Sequence, residues 1–103
     1  MKKFNIFDTI GGEVELPIIS QFYGILIYMY KEIGGHHNEP HIHVKYNEYE
    51  MSITLKGKVI AGELPQKQKK LIEAWLEIHE EDLIAAWYAY NDEGEIIKIK
   101  GLE

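Results

Sequence analysis

Four of the five histidines fall within eight residues: His36, His37, His41 and His43. Imidazole is the commonest metal ligand near neutral pH and the usual general base. If the chain is extended here, His41 and His43 project to one face with their Cα atoms roughly 6.5–7 Å apart. Two ring nitrogens at that spacing can converge on one ion or on one substrate proton. Asn38 or Glu39 from the preceding loop, or Glu50 from a neighbouring strand, would complete the site. A set such as His41, His43 and Glu39 suits Zn²⁺ or another first-row divalent metal. Without a metal, His41 and His43 would act as general acid and base. The non-catalytic reading of the same pair is a half-exposed strand face whose rings bond Ser52 or Thr54. No His-Glu-x-x-His spacing is present, and no carboxylate stands at a fixed interval from the pair.

Other chemistries are thinner. With no cysteine, the chain has no disulfide, thiolate metal site or Cys nucleophile. Ser20 and Ser52 lack the setting of a nucleophile elbow. Gly11-Gly12 and Gly34-Gly35 lack the residues that complete a phosphate cradle. His36 and His37, beside two glycines, read as solvated loop residues, and His79 as a packed histidine on a helical stripe. Lys67, Lys69 and Lys70 read as a solvated helix face. The net charge of −6 disfavours nucleic acid as a partner, even though the tyrosines of 23–30 have the character of a stacking platform.

The elements that must position the histidines belong to a single domain of 103 residues, 46% of them apolar. Residues 1–16 read as an extended lead-in with a turn at Ile10 to Glu13. Tyr23 to Lys31 is expected to be a strand apolar on both faces, covered on both sides or by a partner chain. The stretches 41–46 and 49–55 alternate strictly about Asn47-Glu48. They predict a hairpin with Ile42 opposite Ile53, Val44 opposite Met51 and Tyr46 opposite Tyr49 on the core face. Lys45 then faces Glu50, His43 faces Ser52, and His41 faces Thr54 on the other side. Lys56-Gly57 turns the chain into a further strand over 58–61, with Ile60 beside Ile53. Pro65 opens a helical stretch to about Tyr90, apolar at close to every 3.6 residues. Glu80-Glu81-Asp82 favours a fresh helix N-terminus, so two helices are expected rather than one. Asn91 to Gly94 reads as a turn and Glu95 to Lys100 as a last strand. The expected fold is α+β, a small antiparallel sheet (23–31, 41–46, 49–55, 58–61, 95–100) with the helices of 66–90 on one face.

Four segments carry a resemblance. They are Pro17 to Ile25 with Met29-Tyr30, His37 to Val44, Gly62-Glu63-Leu64-Pro65, and Leu71 to Trp87 with its Trp75, His79, Leu83, Trp87 spacing. Together they resemble a bacterial family known as domain of unknown function 4160 (DUF4160), whose most specific element is Pro-His-x-His-Val. Members commonly carry Pro-Pro before the first histidine, where this chain has Glu39-Pro40. The resemblance covers about residues 17–102. It implies a 17–103 domain preceded by a 1–16 extension, a small α+β protein of bacterial or phage origin, and genes paired in toxin–antitoxin-like or regulatory arrangements. It brings no established activity, cofactor or catalytic residue.

Three functions are therefore expected, in this order. The first is a cytoplasmic, non-enzymatic binding or regulatory module that meets a protein partner or a second copy of itself. Its contacts would come from Glu50 and Ser52 beside the histidines, and from Trp87, Tyr88 and Tyr90 if the C-terminal helix docks, although Trp75 and Trp87 read most simply as core anchors. The second is a small hydrolase or nuclease using His41 and His43, with or without a divalent metal. The third is a protein that sequesters a small ligand. The longest apolar run, Tyr23 to Tyr30, is far short of the ~20 residues that span a bilayer, and no membrane role is expected.

Overall fold

The computed structural model describes residues 16–31 and 39–103. The lead-in of 1–16 lies outside the described residues except for Leu16, as do His36, His37 and Asn38. Five strands, β1 (Ile18–Phe22), β2 (Ile25–Tyr28), β3 (His41–Tyr46), β4 (Tyr49–Thr54) and β5 (Val59–Gly62), form one sheet in chain order, every neighbouring pair antiparallel. Two helices follow, α1 (Gln66–Ile78) and α2 (Glu80–Glu93). The fold is α+β, as expected, with the core between one sheet face and the helices.

The β3–β4 hairpin has the expected register at all six pairs, from His41↔Thr54 to Tyr46↔Tyr49. Its cause is the strict alternation: Ile42, Val44, Met51 and Ile53 are all buried, so a one-residue slip would expose them and bury two histidines. Asn47 supplies the positive φ that the tight loop needs.

The strand expected over 23–31 is shorter and has an unexpected partner. Tyr23 (φ 49) and Gly24 (φ 76) form a two-residue turn joining β1 to β2, with Phe22 opposite Ile25. Both central residues at positive φ match the twist of a hairpin, although Tyr-Gly is not one of its usual pairs. β2 lies between β1 and β3, and each of its faces is covered: one by the core, the other, at Tyr28, by the rings of Tyr30 and His43. Ile25 and Ile27 enter the core, and Tyr28 is covered on the opposite face.

The strand expected over 95–100 is absent. Its alternating Ile97 and Ile99 do pack inward, but the segment is irregular and its Ile99 N–H bonds the Ile19 carbonyl at 2.8 Å. The Trp75 indole N–H donates to the Lys100 carbonyl at 2.9 Å and ties this segment to α1. Ile60 does not sit beside Ile53. A bulge in the β4–β5 pairing puts Val59 there and leaves Ile60 exposed.

Two helices form, as expected. The chain breaks at His79 (φ −111, ψ 25), and Glu80, Glu81 and Asp82 open α2, where negative charge meets the helix dipole favourably. Pro65 lies one residue before α1, as its cap. α2 continues through Asn91 to Glu93, replacing the expected turn, and Gly94 (φ 73) ends it. Trp75 and Trp87 are both fully buried, at the centre of a core that includes Phe22, Ile42, Ile53 and Leu83. No described helix is long and apolar enough to cross a membrane.

Candidate functional site

The helices cover only the face of the sheet that bears Ile25, Ile27, Ile42, Val44, Met51 and Ile53. The opposite face carries His41, His43, Lys45, Glu50, Ser52 and Thr54 on β3 and β4, because side chains alternate along a strand. His41 and His43 do project together, with ring centroids 5.3 Å apart and planes 67° apart.

Each imidazole is oriented by a different group. His41 Nδ1 lies 2.9 Å from the Glu39 carbonyl, which can only accept, so Nδ1 carries the proton of that bond. The neutral ring then has its lone pair on Nε2. His43 Nδ1 lies 3.2 Å from Ser52 Oγ, the cross-strand partner expected from the register. Beside it, Lys45 and Glu50 form an ion pair at 3.2 Å. Glu50 and Ser52 thus both adjoin the histidines.

Two tyrosines complete the cluster. Tyr28 stands directly across from His43 on β2, and the rings stack with centroids 5.4 Å apart and planes 19° apart. Tyr30 packs on the same imidazole at 4.8 Å and on Tyr28 at 5.4 Å. Two residues apart on an extended chain, Tyr28 and Tyr30 fall on one face. That they clasp His43 depends on a β2–β3 register set across an intervening loop, for which local alternation offers no signal. Shallow depressions flank the rings. One, of about 160 Å³, is lined by Tyr28, His43, Glu50, Ser52 and their β5 neighbours. The other, of about 470 Å³, is lined by Glu39, His41, Thr54, Lys58, Val59 and Ile60.

Burial pushes the Tyr28 phenol up to about 12, helped by the neighbouring Tyr30 and by the Glu50 carboxylate. Burial, Glu50 and Tyr90 push Tyr30 in the same direction. A raised phenol pKa leaves stability untouched below the unfolded value near ~10, because both states are then protonated. Above it the unfolded chain ionises first, so stability falls as pH rises toward the folded value. Between about pH 9 and about pH 11.5 the wild type is expected to lose up to about 2 kcal/mol more than Tyr28→Phe, read from urea midpoints. Equal losses in the two proteins would remove Tyr28 as the source.

The remaining expected site residues are dispersed. Among the described residues no three His, Cys, Asp or Glu side chains come together in a way that could hold a metal ion. A metal on His41 and His43 would therefore need further ligands from outside that set. Trp87 is 1% exposed and belongs to the core, so it has no place on a docking surface. Tyr90 packs against the core, and of the three aromatic residues expected there only Tyr88 is exposed. His79 packs on Trp75, with centroids 5.6 Å apart, in keeping with its reading as a packed histidine.

No curated protein and no solved structure matches the chain. A family profile does match, over residues 24–88, which takes in β2 to β5, α1 and most of α2, and every residue of the histidine–tyrosine cluster. More than half of the chain is matched, and it belongs to the family described as Domain of unknown function (DUF4160).

Proposed function

We propose that this chain is a small binding module that recognises a protein partner through the outer face of its sheet, centred on His43. The observation that supports this most is the ring cluster of Tyr28, Tyr30, His41 and His43 on the face opposite the helices. Tyrosines held by neighbouring rings lose little side-chain entropy on binding, which is why such groups anchor interfaces. The Lys45–Glu50 pair at its border supplies the polar rim. A module of this kind suits one member of a regulatory pair, the toxin–antitoxin-like arrangement that the family resemblance implies.

A screen of the proteome of the same cell against wild type and His43→Ala tests the reading. Partners captured by the wild type are expected to bind His43→Ala at least about tenfold more weakly, with both proteins equally folded by circular dichroism. A partner held equally by His43→Ala and Tyr30→Ala would overturn it.

One contact favours a second reading, a His-dependent hydrolase or nuclease. Ser52 Oγ stands 3.2 Å from His43 Nδ1, a nucleophile-to-base distance. Activity that disappears in both Ser52→Ala and His43→Ala at unchanged melting temperature would select this reading.

A further inference from the structure

The two edges of the sheet are treated differently. Along β1, the segment that follows α2 takes up backbone groups: Ile99 N–H bonds the Ile19 carbonyl, Lys98 Nζ bonds the Ile18 carbonyl, and the Glu103 carboxylate accepts the Tyr23 N–H. β5 forms the other edge, and all four of its residues are exposed, Ile60 by 54%. An exposed β-branched edge without proline is a template for another strand.

The bulge decides which groups this edge presents. The Lys58 carbonyl accepts from Thr54 N–H at 2.8 Å, and Glu63 N–H donates to the Glu50 carbonyl at 2.9 Å, so both residues turn their backbone toward β4. By the alternation of an antiparallel ladder, Val59 and Gly62 turn theirs away from the sheet. Lys58 is thus bonded to Thr54 and Glu63 to Glu50, two residues on the histidine-bearing side of β4, so the edge is basic at one end and acidic at the other. Among the described residues neither Lys58 nor Glu63 is in an ion pair.

We propose that two copies of this chain pair antiparallel through β5, joining their five-stranded sheets into one. A two-fold axis between Ile60 and Ala61 sets Val59 against Gly62 of the second copy, so the outward backbone groups meet in hydrogen-bonded pairs. The same axis sets Lys58 against Glu63 of the second copy, and Glu63 against its Lys58. Opposite charges in direct cross-strand register stabilise pairing, and this edge, basic at one end and acidic at the other, is complementary to itself. The axis is perpendicular to the sheet, so both ring clusters face the same side. This pairing does not depend on what the outer face binds.

Sedimentation of the untagged full chain, from micromolar to about millimolar concentration, tests the pairing. The mass is expected to rise from 12.0 kDa toward twice that value. Lys58→Glu and Glu63→Lys each place like charges opposite each other at two symmetric positions and are expected to weaken the dimer by about tenfold or more. The double exchange Lys58→Glu with Glu63→Lys restores opposite pairs and is expected to recover an affinity within about threefold of wild type. The amides of Val59 and Gly62 are expected to exchange more slowly as concentration rises. A strictly monomeric chain, a dimer indifferent to both single reversals, a double variant as weak as the singles, or unchanged exchange at Val59 and Gly62 would each overturn the proposal.

Discussion

Trp75→Ala is expected to lower stability by about 4 kcal/mol, the largest loss for a single truncation in this chain. Trp75 has no exposed surface, packs on Phe22 with centroids 5.5 Å apart and touches His79 at the break between the helices. Its N–H also holds the Lys100 carbonyl, so alanine leaves a cavity and an unpaired acceptor together. For a domain of this size the loss corresponds to a fall in melting temperature of about 20 °C. Trp75→Phe keeps a six-membered ring in the core and loses the hydrogen bond with only part of the indole volume; its cost is expected to be about 2 kcal/mol, well below that of alanine. Chemical denaturation of the two variants beside wild type provides the check. Equal costs for phenylalanine and alanine would mean that the Lys100 tether, rather than packing, dominates.

Gly62→Ala is expected to cost about 3 kcal/mol, although the residue lies on an exposed edge. A β-carbon there would stand 2.1 Å from the Glu50 carbonyl oxygen and 3.0 Å from its carbonyl carbon, both backbone atoms that cannot swing aside. The φ of +76° adds the strain that an L side chain meets in the left-handed region. Gly57→Ala is the control: its φ is +95°, but nothing lies within 4 Å of the added carbon. Its cost is expected to be about 1–2 kcal/mol, the conformational part alone. If both variants melt together, the close approach of β5 to β4 contributes nothing measurable.

How much of this was legible before the structure varies by element, for physical reasons. The hairpin of 41–54 could be read residue by residue because one face is apolar, the other polar and the loop short, so burial permits a single register. The same register brought His43 to Ser52 and Lys45 to Glu50. The break at His79 followed from three acidic residues that suit a helix start. β1 and its turn were hidden because Phe22-Tyr23-Gly24-Ile25 continues an apolar run and lacks an Asn-Gly or Asp-Gly pair. Glu95 to Lys100 alternates like a strand, yet alternation reports only that one side is buried, and this segment buries Ile99 without joining a ladder. The bulge at Ile60 and the clasp of Tyr28 and Tyr30 around His43 depend on strand-to-strand geometry, which no local pattern encodes.

Both indoles lie wholly inside the molecule, and the Trp87 ring nitrogen has no hydrogen-bond partner among the described residues. Their ultraviolet emission therefore monitors the interior alone, blue-shifted while the chain is folded and red-shifted once solvent enters. The outer face carries phenols and imidazoles but no indole. Docking there should leave the tryptophan spectrum unmoved while altering tyrosine absorbance, so a single cuvette can tell occupancy from denaturation.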